Sequence, residues 1–324
     1  MVSAERSTEA ADVLAEVAAT GLLADGPVLV MLSGGRDSVC LLDLAVRIAG
    51  REQVAALHVN YGLREAAEAD EQCARALCDQ LGVELTAVAA GPAPAQGNLQ
   101  DWARRVRYGA AASAVRERGG AVAAGHTASD QVETVLYRLC ASPGRRALRA
   151  MALRSGPLVR PLLGLTRAQT TAYCSTRGLT YRDDELNQDE RFARVRIREQ
   201  VIPALSSVHP AAFANVLDTA EQLRDEGELV DGLVAAELDR GPVTLAQLRA
   251  MAPSLRRLVV RELAERAAGE PVPQAGQRAD EIAALSERVA ALDVGGGVRA
   301  RVEAGTLTFV PSEGRAARAD GTHA

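Results

Sequence analysis

The segment VLVMLSGGRDSVCLLDL, residues 28–44, sets Ser33, Gly34, Gly35, Arg36, Asp37 and Ser38 between an apolar run and a helical pattern. Two adjacent glycines let the backbone turn tightly and bring its N–H groups close to a ligand. Those N–H groups, the two serine hydroxyls and the N-terminus of the following helix together suit a phosphate. A turn merely capped by Asp37 or Ser38 would use some of the same residues, but the strand–loop–helix context favours an anion site. A second group lies in GHTASDQVET, residues 125–134. There His126 opens a helical pattern in which Asp130 and Glu133, three apart, share one face. Two carboxylates and a histidine beside such a phosphate site suit either a cationic amine or Mg²⁺, and the residue types alone leave that choice open. HVNYGLRE, residues 58–65, ends another apolar run with His58, and ARRVRY, residues 103–108, carries arginines on a helical pattern.

These residues need a scaffold that gathers them. Short apolar runs at 28–32, 54–59, 83–88 and 121–125 alternate with helical patterns at about 37–48, 66–81, 99–118 and 129–140. Such alternation predicts an α/β fold, a doubly wound parallel sheet with helices on both faces. Ligands of such sheets sit beyond the carboxyl ends of the strands, where the phosphate loop, His58 and His126 all fall. An acidic N-terminal segment reads as a surface helix leading into the first strand. Further helices are expected over 167–177 and from Phe192 to an interruption at Pro203, with a polar loop over 183–189. His209-Pro210 then opens a long acidic helix that ends near Gly241-Pro242. Beyond it come two helical patterns and a glycine-rich turn, 295–297, joining two short strands. The expected organisation is a large α/β domain over 1–208, a linker helix over 209–240, a small, mainly helical domain over 241–311 and a disordered tail over 312–324.

Composition narrows the chemistry. All 37 basic residues are arginine. Without lysine there is no Walker A loop and no Schiff base, so phosphate must be handled by backbone N–H groups, arginine and metal. Five cysteines, Cys40, Cys73, Cys78, Cys140 and Cys174, form no CxxC pair and are expected to be buried thiols of a reducing compartment. No apolar run approaches the length of about 20 residues that spans a bilayer, and the N-terminus lacks the features of a secretory signal, so no membrane partner and a cytoplasmic location are expected. The net charge of −5 hides two blocks: nine arginines and no acid from Thr134 to Arg182, then eight acids against two arginines from Asp218 to Arg240. Opposite blocks in one chain predict a basic face concealed by the average.

The SGGRDS loop resembles that of the PP-loop ATP pyrophosphatases, and the ordered set of loop, HVNYGLRE, ARRVRY and GHTASDQVET resembles the tRNA(Ile)-lysidine synthetases. The likeness continues through VRPLLGLTRAQ (159–169), RDDELNQDERFARVRIR (182–198) and VIPAL (201–205). It implies an enzyme that uses ATP to join L-lysine to C2 of the wobble cytidine in the CAU anticodon of tRNA(Ile), through an adenylated cytidine. It implies that Ser33, Gly34, Gly35, Arg36, Asp37, Ser38 and His58 bind ATP and that Asp37 assists Mg²⁺. Arg104, Arg107, Arg194 and Arg198 would serve the nucleotide or the activated intermediate, with His126 in the catalytic pocket. Asp130 and Glu133 would receive the lysine ammonium, and Arg145, Arg146 and Arg149 would contact tRNA; residues 1–208 would then be the ATP-binding catalytic domain and residues 241–311 a further tRNA-contacting domain. A homodimer is left open. Tyr61, Ser129 and Val195 stand where the family often has His, Asp and Asn. Rival readings are a cytidine thiolase, which needs paired cysteines, an amide-forming enzyme of small metabolites, and a tRNA-binding protein without catalysis.

Overall fold

The computed structural model describes residues 2–63, 67–94, 98–141, 144–182 and 193–312. The polar loop expected over 183–189, the end of HVNYGLRE and the tail lie outside these residues. Two compact units divide at Leu223 and Arg224, inside one long helix.

The first unit is built on a sheet with order β3-β2-β1-β4-β6-β5. Its strands are β1 (Val28–Met31), β2 (Val54–Asn60), β3 (Glu84–Ala89), β4 (Ala121–Ala123), β5 (Arg154–Ser155) and β6 (Leu158–Val159). All pairings are parallel except β5 with β6. The apolar runs are continuous because both faces are covered. Val28, Val30, Val54, Ala56 and Ala123 pack into one core, and Leu29, Met31, Ala55, Leu57 and Val122 into another. Side chains alternate faces along a strand, so each run feeds both layers.

On the first face lie α1 (Val2–Ala19), α2 (Arg36–Ala49) and α3 (Ala67–Leu81). The opposite face is covered by α4 (Leu99–Arg118), which contributes Ala111, Val106 and Tyr108. After β4 come α5 (Ala128–Ala141), the short α6 (Arg145–Leu148) and, after β6, α7 (Arg167–Arg177). The expectation of a surface helix at the N-terminus needs correction. Ala10, Val13 and Val17 of α1 are buried in the same core as Tyr173 and Cys174 of α7.

Pro203 does not interrupt the helical segment that follows. α8 (Ala193–Arg196) passes through a π-helical turn (Ile197–Val201) into α9 (Ile202–Val208). Proline lacks only its own N–H, and it sits in the first turn of α9, where that donor is dispensable. The backbone N–H of Ile202 reaches Ile197 O across the π turn.

Two of the five cysteines, Cys73 and Cys140, are exposed, whereas Cys40, Cys78 and Cys174 are buried; the expectation of five buried thiols holds for the latter three. Cys73 lies on the solvent side of α3, and Cys140 lies in the exposed last turn of α5 with Tyr137 and Leu139.

The long helix α10 (Ala212–Leu238) spans the division between the units. The second unit adds α11 (Leu245–Ala250), α12 (Pro253–Ala268) and α13 (Ala279–Ala283) to an antiparallel sheet of β7 (Val289–Gly295), β8 (Val298–Glu303) and β9 (Thr306–Pro311). Its core gathers Leu245, Leu248, Val259, Val260, Ile282 and Val298. The third strand was not expected. Its hairpin turns on Ala304 and Gly305, both at positive φ (47° and 76°). That turn normally announces itself by Asn-Gly or Asp-Gly, and alanine carries no such signal.

Candidate functional site

The chain runs outward from β1 through β2 to β3, then returns to place β4 on the other side of β1. A crevice therefore opens beyond the carboxyl ends of β1 and β4, the topological switch point where doubly wound sheets bind ligands. A cleft of about 500 Å³ occupies it. Ser33, Gly35, Arg36, Asp37 and Ser38 line it from β1, and Gly125, His126 and Asp130 from β4 and α5. Leu57, Val59 and Tyr61 contribute from β2, and Arg107, Arg167, Arg182, Arg198 and Glu199 complete the wall.

The phosphate loop is held open by its own side chains. Gly34 takes φ 86°, a conformation that favours glycine. Ser38 Oγ donates to Gly35 O at 2.8 Å and accepts from Ser33 N at 3.2 Å. The loop is pressed against the end of β4. A Cβ on Gly125 would lie 3.0 Å from the carbonyl carbon and oxygen of Asp37 and 3.1 Å from Ser38 N. From outside, Arg182 N donates to Gly34 O at 3.0 Å, and the Arg182 guanidinium pairs with Asp70 at 3.0 Å.

Asp37 lies in the first turn of α2. Arg36 donates to it through Nε at 3.1 Å and Nη2 at 3.2 Å, and Thr170 Oγ1 donates at 2.6 Å. Asp130 Oδ2 accepts from Thr127 N at 2.8 Å and Thr127 Oγ1 at 2.9 Å, capping α5 while the residue lines the cleft. Glu133 takes a different position. Its side chain is 1% exposed, and Oε1 accepts from Arg198 Nε at 2.7 Å. It is therefore Arg198, and not Glu133, that lines the cleft. Glu133 Oε2 is buried without a partner, and a buried acceptor left open in this way is where a missing donor belongs.

His126 is held neutral. Burial, the largest cause, and the charges of Arg160, Arg107 and Arg104 push its pKa down to about 4 against the opposing pull of Asp130. Its Nδ1 is buried and without a partner. So weak a base presents an uncharged ring to the cleft.

His58 faces the other way. It is 4% exposed and its Nδ1 lies 2.9 Å from Leu32 O, while its strand neighbours Leu57 and Val59 line the cleft. The imidazole braces the strand end from which the phosphate loop springs. Arg104 stacks over the Tyr108 ring at 4.5 Å, with Arg107 at 5.6 Å. Of these two arginines, Arg107 lines the cleft.

Several arginines of the acid-free stretch have internal duties. Arg138 Nη1 donates to Ala147 O and Ala150 O at 3.2 and 3.0 Å, organising the segment that carries Arg145, Arg146 and Arg149. Arg160 is 7% exposed and donates to Ala152 O, and Arg177 pairs with buried Asp43. Arg194 is exposed on α8, and its charge acts on Arg138. Sequence reasoning did not single out Arg167, Arg182 or Thr170 as site residues. They lie far along the chain and reach the loop only through the tertiary fold. The one signal in the sequence was that two of them belong to an arginine-rich stretch free of acids.

The donor set can accompany a phosphate-borne Mg²⁺. Asp37 and Asp130 offer carboxylate oxygens to the cleft, and among the described residues no group of three or more His, Cys, Asp or Glu side chains forms a cage. Mg²⁺ is commonly held by one or two carboxylates together with substrate phosphates.

Residues 7–205 match the PP-loop domain family. A U34-tRNA thiolase, NcsA, from Methanococcus maripaludis shares the fold with a TM-score of 0.58 at 17% identity, over 67% of this chain and 79% of that one. A tRNA(Ile)-lysidine synthase from Nocardia farcinica is 37% identical over 276 residues, which cover 83% of this chain and 86% of that protein. One from Mycolicibacterium paratuberculosis is 39% identical over 238 residues, 72% of either chain. With the family model spanning residues 7–205 and relatives 37–39% identical over most of both chains, the protein belongs to the tRNA(Ile)-lysidine synthase family of PP-loop proteins.

Proposed function

We propose that this enzyme ligates L-lysine to C2 of the wobble cytidine in the CAU anticodon of tRNA(Ile), converting a codon specificity of AUG to AUA. The observation that carries the reading is the composition of the cleft. Five arginines and a phosphate loop share one wall with the carboxylate of Asp130, so a polyanion and a cation can be held side by side.

In the first step the O2 of cytidine attacks the α phosphorus of ATP and pyrophosphate leaves. The loop N–H groups and the guanidinium groups of Arg107, Arg167 and Arg198 offset the charge that builds on the phosphate oxygens. Mg²⁺, when bound beside Asp37, supplies further neutralisation of the pyrophosphate leaving group. In the second step the amine of lysine displaces AMP at C2. Asp130 receives the lysine ammonium, and Glu133 Oε2 is the second acceptor behind it. The ammonium must lose a proton before it attacks. Neutral His126 can accept a hydrogen bond from it but is too weak a base to keep the proton, which passes on to water or to the departing AMP.

The tRNA backbone approaches over Arg145 and Arg146; Arg149, whose Nε and Nη2 are buried, belongs to the same segment, and exposed Arg104 and Arg194 add positive charge to the unit. Phosphate contacts of this kind position the substrate and do not read its sequence. A thiolase reading fares worse, because no cysteine lines the cleft and the neighbouring pair Cys73 and Cys78 is split between surface and core.

The test is to follow pyrophosphate and AMP separately. Pyrophosphate should be released with ATP and tRNA alone, and AMP only after lysine is added. Pyrophosphate release that needs lysine but not tRNA contradicts the order of steps.

A further inference from the structure

α2 and α7 are locked together along their length, and the lock ends at the phosphate loop. At the far end, Tyr173 OH donates to Asp43 Oδ2 at 2.5 Å, and Arg177 pairs with the same carboxylate at 3.2 Å. Tyr173 is fully buried and Asp43 is 1% exposed. Where α2 begins, Cys174 Sγ lies 3.7 Å from Arg36 O. At the loop end, Thr170, also fully buried, donates its hydroxyl to Asp37 Oδ1 at 2.6 Å and accepts from Arg36 Nε at 3.2 Å. A hydroxyl has one proton to give. The alternative acceptor, Arg167 O, is farther away at 3.1 Å, so the proton goes to Asp37. The β-branched side chain has few rotamers on a helix, and its capping box at Thr166 and Gln169 fixes where α7 begins.

We propose that Thr170 is a positioning residue that sets the carboxylate of Asp37 toward the phosphates and their Mg²⁺. The Asp37 carboxylate could otherwise turn about its side-chain bond to follow Arg36 alone. With the threonine proton on Oδ1 and Arg36 Nη2 donating to Oδ2 at 3.2 Å, the carboxylate is fixed from two sides and its plane is set. α7 thereby serves the cleft twice, with Arg167 in its first turn on the wall and Thr170 one turn later behind the loop. The inference rests on the cleft being an ATP site. It is indifferent to which acceptor the activated phosphate goes to.

The test is binding, not turnover. Affinity for an ATP analogue with a non-cleavable α–β bridge is measured by calorimetry with and without Mg²⁺, for the wild-type protein and for Thr170→Val, Thr170→Ser and Tyr173→Phe. Loss of a hydrogen bond to a charged group corresponds to a change of roughly tenfold or more. Thr170→Val should lose at least most of the Mg²⁺-dependent gain in affinity, while Thr170→Ser keeps it. Tyr173→Phe breaks the same helix–helix lock away from the loop and should lower thermal stability with the Mg²⁺ effect intact. If Thr170→Val does not fold, Thr170→Ala removes the hydroxyl without adding bulk and carries the same expectation. A Thr170→Val or Thr170→Ala protein with a wild-type Mg²⁺ effect overturns the proposal, as does a Tyr173→Phe protein that loses it equally. Failure of the ligase reading would appear instead as wild-type protein that binds the analogue normally and makes no lysidine.

Discussion

Glu133 should be both a structural and a substrate-binding residue, and replacing it by glutamine separates the two. Its pair with Arg198 closes at 2.7 Å, with the carboxylate 1% and the guanidinium 20% exposed. Removing one partner of a buried pair costs about 3–5 kcal/mol because the other charge is stranded. Arg198 retains some contact with solvent, so the lower end applies, about 3 kcal/mol. For a unit of this size each kcal/mol moves the melting temperature by about 2–4 °C, so Glu133→Gln should lower it by roughly 6–12 °C. Arg198→Gln should cost a similar amount. The double variant should cost less than the sum, by about 2 kcal/mol, since the second change removes a charge already stranded. Asp130→Asn is the companion. Its amide oxygen can still accept from Thr127, so stability should change by less than about 1 kcal/mol. Both Asp130→Asn and Glu133→Gln should raise the lysine requirement by about tenfold to over a hundredfold, the range for a lost charge-assisted hydrogen bond. Thermal unfolding gives the first set of numbers, and lysine titration of AMP release gives the second. Additive single and double variants would refute the pairing argument. Asp130→Asn protein that fails to release pyrophosphate in the absence of lysine would refute the lysine pocket and move that carboxylate to the metal.

Three further outcomes are expected. Gly125→Ala should weaken ATP binding more than tRNA binding, because the new methyl group meets the backbone of Asp37 and Ser38 at 3.0–3.1 Å; unchanged nucleotide affinity by calorimetry would show that the loop yields. Charge reversal at Arg145 and Arg146 should weaken tRNA binding and flatten its salt dependence through lost counterion release, with ATP binding spared; a salt slope equal to the wild type counts against that docking surface. His126 has a folded pKa of about 4 against an ordinary value of 6.5. Its contribution is therefore fully present above pH 6.5 and is lost as pH falls towards 4, up to about 3 kcal/mol. The pH dependence of chemical unfolding over that window should shrink in His126→Gln, and an unaltered profile would assign the loss to other groups.

The parallel sheet was legible because strands buried on both faces leave continuous apolar runs, as in VLVML and VAALHV, and because glycine marks the loop between β1 and α2. What closes the cleft was less legible. Thr170 reaches Asp37 and Arg182 reaches Gly34 across more than a hundred residues of chain, Arg167 joins the same cleft wall from as far away, and no local period records that distance. Glu133 was expected beside Asp130 on one helix face, but a shared face does not fix side-chain direction, and Arg198 draws Glu133 into the protein. His58 stands at a strand end, but strand alternation gives the cleft its neighbours Leu57 and Val59 and sets its own Nδ1 against Leu32 O. Asp43 did carry a signal, a carboxylate inside the apolar pattern CLLDLAV, and the fold answers it with Tyr173 and Arg177.

The central claim is the identity of the bond made. Purified protein is incubated with ATP, labelled lysine and total tRNA, the tRNA is digested to nucleosides, and the labelled product is identified by mass. The account predicts label in a single nucleoside, cytidine carrying lysine at C2 in place of its oxygen, confined to tRNA(Ile) with the CAU anticodon and absent with Asp37→Ala protein. Label on any other nucleoside, or none despite tRNA-dependent pyrophosphate release, would contradict it.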